Sequence, residues 1–197
     1  MIKTTNSDQT NIIADILKLH CNNQQIELDA TYSKGVFYKN RTIPQPKIKI
    51  DLHPQTDDTI KARAENLPIK SNFIYSIIFD PPFIVGHTKQ HATGIIGKRF
   101  NSFRYISDLW EWYDNCLIEF HRVLIKGGVL IFKCQDTVSS GKQWWSHIHI
   151  TTQAEKNGFY MKDLFILLAN NRIQGHNHKN QKHARKFHSY FLVFEKK

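Results

Sequence analysis

The stretch Ile74-Tyr75-Ser76-Ile77-Ile78-Phe79-Asp80-Pro81-Pro82-Phe83 limits what this chain can fold into more than any other. Its β-rich apolar run predicts a strand buried on both faces, which belongs in a parallel sheet covered by helices. Two consecutive prolines end that strand. Each fixes its own φ, neither has an N–H to donate, and the first biases Asp80 towards extended backbone. A carboxylate, free backbone carbonyls and an aromatic face are thereby held at the C-terminal end of a strand. Such a set suits a planar base with an exocyclic amine: the carboxylate and a carbonyl accept its two N–H groups, and the ring stacks on the base.

Asp80-Pro81-Pro82-Phe83 resembles the Asp-Pro-Pro-Tyr/Phe signature of class I S-adenosylmethionine-dependent amino-methyltransferases that modify adenine N6 in nucleic acids. The resemblance implies that a flipped adenine lies between Phe83 and the methyl donor, with Asp80, Pro81, Pro82 and Phe83 as the catalytic segment. A plain Pro-Pro turn closing an α/β strand has the same four residues, so the rest of the chain decides.

Residues 8–20 have apolar positions at helical spacing and predict a leading amphipathic helix within residues 1–24. Residues 25–29 predict a strand ending in Asp29, followed by a turn with Gly35, where an α/β sheet places its first cofactor loop. The loop Asp29 to Phe37 resembles a variant first motif, Asp-x-Thr-Tyr-Gly-x-Gly-x-Phe, of small phage and bacterial methyltransferases, which implies Asp29, Thr31, Tyr32, Ser33 and Gly35 as donor-binding residues. Ser33 stands where that pattern has its first glycine. If Ser33 adopts a positive φ, or its side chain crowds the donor, donor affinity falls.

A second strand, residues 47–52, ends in Asp51, an acid placed to accept hydrogen bonds from both ribose hydroxyls of a nucleoside cofactor. The segment Glu65-Asn66-Leu67 resembles the family's third motif, beside the cofactor's adenine, and leaves Glu65 and Asn66 both open as partners of the ring amine. Beyond Phe83, residues 84–105 carry Lys89, Lys98, Arg99 and Arg104 and predict a basic lid over the base. Ser107 is expected to cap a helix that packs on the sheet, with Trp110 and Trp112 as packing residues. Lys126-Gly127-Gly128 resembles the helix-to-strand corner of class I methyltransferases and leads into a buried strand. Residues 142–157 predict a helix with Trp144, Trp145, Ile148 and Ile150 on or near its inner side, and Gly158 ends it. Residues 159–168 and 189–194 then predict a closing hairpin.

Between the last two strands, residues 170–188 contain Arg172, Lys179, Lys182, Arg185 and Lys186 among histidines, with no acid between Asp163 and Glu195. Such a connector reads as a phosphate-binding arm. Its histidines lack a Cys or acidic co-ligand, so no metal is expected. The whole chain agrees with that arm, its 27 Lys and Arg against 17 Asp and Glu giving a net charge of +10. Nucleic acid is the first anionic partner this implies and an anionic membrane surface the second. No apolar run approaches the ~20 residues of a membrane span. Cys21, Cys116 and Cys134 lack Cys-x-x-Cys spacing and read as reduced structural thiols, which suits a cytoplasmic setting; the resemblance to small phage and bacterial methyltransferases implies a bacterial or phage-like one.

The expected fold is α/β: a Rossmann-like class I methyltransferase fold, doubly wound, with a mostly parallel seven-stranded sheet and an antiparallel last strand, in one domain over 1–197. The resemblance implies methyl transfer from S-adenosylmethionine to adenine N6 in DNA. An RNA base methyltransferase and a noncatalytic nucleic-acid-binding partner subunit are the alternatives. A chain with no room for a separate recognition domain also leaves open a homodimer or partner subunit that supplies recognition.

Overall fold

The computed structural model describes residues 1–83, 85, 103–169 and 182–197. Most of the expected lid, with Lys89, Lys98 and Arg99, and the connector's Arg172 and Lys179 lie outside the described residues. The strands are β1 (Thr5–Asn6), β2 (Leu28–Asp29), β3 (Ile48–Asp51), β4 (Ile60–Lys61), β5 (Ile74–Phe79), β6 (Leu124–Cys134), β7 (Thr137–Ser139), β8 (Lys142–Trp144), β9 (Phe159–Leu168) and β10 (His188–Lys196). The helices are α1 (Gln9–His20), α2 (Ile106–Val123) and α3 (Ser146–Lys156), and a 3-10 turn covers Val36–Tyr38.

The main sheet runs β1-β9-β10-β6-β5-β2-β3-β4. Its pairings are parallel except those of β10, which lies antiparallel between β6 and β9. This is the doubly wound, mostly parallel sheet with an antiparallel last strand that the sequence predicts. The sheet has eight strands rather than the expected seven: the six that the sequence places, flanked at the two edges by the two-residue β1 and β4. Two cores cover the two faces. One joins Leu28, Ile77, Phe79 and Phe132 to α2, through Leu109, Tyr113, Leu117 and Phe120. The other joins Ile78, Val129, Ile131 and Phe191 to α1, through Ile12, Ile13, Ile16 and Leu17.

The glycine corner works by close approach. Pairing of β5 with β6 skips from Ile74↔Leu124 to Ser76↔Val129, so residues 125–128 bulge out of the ladder. A Cβ on Gly128 would stand 2.8 Å from the Ile125 carbonyl oxygen and 3.1 Å from that of Tyr75, so only glycine fits.

Three local expectations are corrected. The predicted strand 25–29 is reduced to Leu28–Asp29. Ser107 does not cap α2: the helix starts at Ile106 with Tyr105 as N-cap, and the serine hydroxyl bonds Asp108 instead. Residues 142–157 do not form one helix. Ser140 and Gly141 both take positive φ, 53° and 72°, which closes a two-residue hairpin between β7 and β8. Trp144 is therefore in a strand, Trp145 and Ile148 are exposed, and only Ile150 of that group is buried. Among the described residues, no helix is long and apolar enough to cross a membrane.

Candidate functional site

The C-terminal ends of β2, β3 and β5 meet around one cleft, lined by Ala30, Thr31, Ser33, Asp51, Leu52, His53, Gln55, Arg63, Ala64, Glu65, Pro82 and Trp112. The loop after β2 is its floor. Asp29 ends the strand and is buried beneath it; its carboxylate accepts the Thr31 N–H at 3.0 Å and the Tyr38 hydroxyl at 2.8 Å. Burial above all pushes this carboxyl up to about 7. The Tyr38 and Thr31 bonds pull the other way, and the nearby charges of Asp80 and Asp51 add to the rise.

Ser33, which stands in the place of a glycine, takes a positive φ of 51°. Its N–H donates to Asp51 Oδ2 at 2.8 Å, while Asp51 Oδ1 accepts the His53 N–H at 2.7 Å. The first loop is thus tied to the end of β3, and each carboxylate oxygen keeps a second lone pair for a ligand hydroxyl. Gly35, at φ 61°, starts the 3-10 turn, and a Cβ there would stand 2.5 Å from the Tyr32 hydroxyl oxygen.

Of the third-motif residues, Glu65 lines the cleft. One of its oxygens accepts the Trp112 indole N–H at 2.8 Å and the other pairs with Arg63. Burial pushes this carboxyl up, but those bonds outweigh it and hold the group below its ordinary range. Asn66 is exposed and outside the cleft wall. Leu67 is a core residue whose N–H bonds the Glu119 carboxylate at 2.6 Å, which corrects its expected place beside a ligand. Tyr32 and Asp29 likewise lie behind the wall rather than in it.

The turn after β5 joins this cleft through Thr31, whose hydroxyl accepts the Asp80 N–H at 2.8 Å. Asp80 Oδ2 accepts a hydrogen bond from Lys133 Nζ at 3.1 Å. Pro81 is buried, Pro82 and Phe83 are half-buried, and the Pro82 carbonyl accepts the buried Tyr113 hydroxyl at 2.7 Å. The turn is pinned from α2 as well as from the first loop.

Lys133, bonded to Asp80, was not singled out in the sequence, and Trp112, expected there as a packing residue, also lines the cleft. Trp112 packs between Phe79 and Phe103, as a core residue would, while its N–H reaches Glu65. Only the fold brings residue 112 of a helix onto residue 65 of a loop.

Among the basic residues, Arg104 is exposed beside Tyr105. Lys182 is exposed, and Arg185 and Lys186 are half-buried. These three precede β10, whose Tyr190 pairs with Cys134 at the end of β6. Phe132 pairs with Phe79 at the end of β5, so the arm enters at the edge that carries Asp80. Lys186 Nζ lies 5.5 Å from the ring centre of Trp145, which is 48% exposed.

A family model described as DNA methylase matches residues 74–197. No curated protein sequence matches the chain. A structure from Thermus thermophilus, described provisionally as a DNA modification methylase and complexed with S-adenosyl-L-methionine, is 18% identical over 66% of this chain and 50% of its own, with a TM-score of 0.44. The chain thus spans half the length of that relative. A methyltransferase from Thermotoga maritima, described as a candidate histamine N-methyltransferase, is 17% identical over 95% of this chain and 89% of its own, with a TM-score of 0.52. TrmN from Thermus thermophilus is 13% identical over 97% of this chain and 50% of its own, with a TM-score of 0.51. The last two likenesses establish the class I methyltransferase fold.

Proposed function

The chain belongs to the DNA methylase family, and on that premise we propose that it transfers the methyl group of S-adenosylmethionine to the exocyclic N6 amine of adenine in DNA. The observation that carries the reading is Asp80. Its backbone is bonded to the loop that floors the cleft, and its carboxylate stands at the end of β5 beside an aromatic residue, Phe83.

The cleft fits the donor chemically. Asp51, already oriented by two backbone N–H groups, would accept the ribose hydroxyls. Glu65, oriented by Trp112, would accept the adenine amine. Asp29, Asp51 and Asp80 are close enough to raise the Asp29 carboxyl together, and a cationic ligand relieves that clustering of negative charge. When bound, S-adenosylmethionine supplies a methyl group already activated by its sulfonium.

The chain's own task is then alignment. Asp80 and the Pro81 carbonyl accept the two amine hydrogens, draw the nitrogen lone pair out of conjugation with the ring, and stabilise the positive charge that develops on nitrogen. Phe83 stacks on the extruded base. The proton leaves after the methyl arrives, so Asp80 need not act as a strong base. Lys182, Arg185 and Lys186, with the exposed face of Trp145, offer cations and an aromatic surface to the nucleic-acid backbone and its bases. In this reading the domain is one methyltransferase unit over 1–197.

The cytosine N4 amine offers the same two hydrogens. Tritiated methyl transfer to unmethylated DNA and to total RNA, followed by nucleoside digestion, separates the targets. Label in N6-methyladenine from DNA is expected. Label only in N4-methylcytosine or only in RNA would replace the substrate.

A further inference from the structure

Lys133 stands where the sheet's pattern calls for an apolar side chain. Val129 and Ile131 precede it at alternate positions of β6, on the face covered by α1, and both are buried there with Ile12, Ile13 and Phe191. Strand alternation puts residue 133 on that same face. The lysine is nevertheless only 8% exposed.

Its ammonium donates to Gln9 Oε1 of α1 at 3.1 Å and to Asp80 Oδ2 at 3.1 Å. The ring centres of Phe37, Phe191 and Phe83 lie 5.3, 5.6 and 5.7 Å from it. Withdrawing an ammonium and a carboxylate from water costs much of what their attraction returns, and well-packed apolar replacements for such pairs are often neutral or stabilising. Stability alone would favour an apolar pair at positions 80 and 133, whereas removing the lysine alone leaves the Asp80 carboxylate without its partner.

What the lysine adds is a defined carboxylate. The terminal torsion of an aspartate is broad, so an unheld carboxylate presents either oxygen over a range of angles. Lys133 holds Oδ2, and Oδ1 accepts no hydrogen bond among the described residues. The geometry points to Lys133 as a positioning residue for methyl transfer: it fixes the Asp80 carboxylate through Oδ2 so that Oδ1 meets the target amine. Gln9 fixes the ammonium in turn, which makes α1 a working part of the site. This rests on the reading in which Asp80 accepts the amine.

The test uses the full chain with Lys133→Met, Lys133→Arg, Gln9→Ala and Asp80→Ala. Single-turnover methyl transfer to unmethylated DNA, donor affinity by calorimetry and melting temperature are measured for each. Lys133→Met is expected to bind donor as the native protein does, to melt at a lower temperature because Asp80 loses its partner, and, assayed well below that temperature, to transfer methyl about 10²-fold more slowly, the scale of a misaligned reacting group. Lys133→Arg recovers most of the rate, because a guanidinium can hold the same oxygen. Gln9→Ala slows transfer less, with donor binding intact, and serves if the Met variant does not fold. A native rate in Lys133→Met or in Gln9→Ala overturns the inference. So does a loss in Lys133→Met that is accounted for by the folded fraction at the assay temperature or by donor affinity and is not recovered by Arg. An active Asp80→Ala instead sinks the reading of Asp80 itself, whereas an inactive Asp80→Ala beside a fully active Lys133→Met sinks the inference alone.

Discussion

The Asp80 backbone N–H donates to the Thr31 hydroxyl at 2.8 Å, which makes the loop after β2 and the turn after β5 one unit. A family member of this kind must hold its donor and its target amine in fixed relation, and this bond spans the two halves. Thr31→Val keeps the side chain's volume but leaves the N–H without an acceptor. It should destabilise the fold by about 1–2 kcal/mol and slow methyl transfer, whereas Thr31→Ser retains both. Denaturant melts and single-turnover rates of the two variants check this.

Ser33 and Gly35 both lie in left-handed backbone, and their substitutions have opposite signs. Ser33→Gly removes the cost of a positive φ and should stabilise the protein by up to about 1 kcal/mol, less the greater entropy glycine gives the unfolded chain. Gly35→Ala should cost about 1–3 kcal/mol and weaken donor binding, because the methyl meets the Tyr32 hydroxyl. Calorimetric donor titrations beside thermal melts distinguish the two. A loss of donor affinity in Ser33→Gly would identify the serine side chain as a donor contact.

Asp29 sets a pH dependence. Its carboxyl titrates near 7 in the folded protein, against an ordinary value of 3.8. Between those values the folded protein holds a proton that the unfolded chain has released, so this group's contribution to stability declines from about pH 4 to pH 7 and then levels off. A cationic ligand favours the ionised carboxylate, so donor affinity should rise from about pH 6 to about pH 8 with release of a proton. Asp29→Asn flattens that rise. Calorimetry in buffers of different ionisation enthalpy counts the proton, and an unchanged slope in the Asn variant would contradict the assignment.

Local pattern carried much of the fold and part of the site. The run at 74–79 was legible because strand burial on both faces leaves it almost wholly apolar, Ser76 being its one small polar residue, and the paired prolines mark where it ends. Ser33 was marked by its place in a glycine pattern, but that place alone left its backbone conformation open, and the structure supplies the positive φ. The hairpin at Thr137–Trp144 was not legible, because Trp144 and Ile148, four residues apart as on one face of a helix, hid a Ser-Gly turn. Lys133 was hidden for a different reason. A lysine ending an apolar strand reads as a solvated terminus, and only α1 laid over it and the turn after β5 beside it make it buried. Leu67 was misplaced because its neighbour Glu65 does face the cleft, while its own N–H is taken by Glu119.

Substituting Lys182, Arg185 and Lys186 with alanine should weaken DNA binding without changing donor affinity. If all three neutralise phosphates, the slope of log K against log salt falls by about 0.9 for each. Fluorescence anisotropy across a salt series measures it. An unchanged slope would place the nucleic acid elsewhere.

Adenine methylation through Asp80 is best examined by methyl transfer from labelled S-adenosylmethionine to unmethylated DNA by the native chain and by Asp80→Ala, with the product nucleosides separated. Label is expected in N6-methyladenine for the native chain and in no nucleoside for Asp80→Ala, which still binds donor. Equal labelling by both, or no labelling of any nucleoside by a native chain that binds donor and DNA, would rule out that activity for this site.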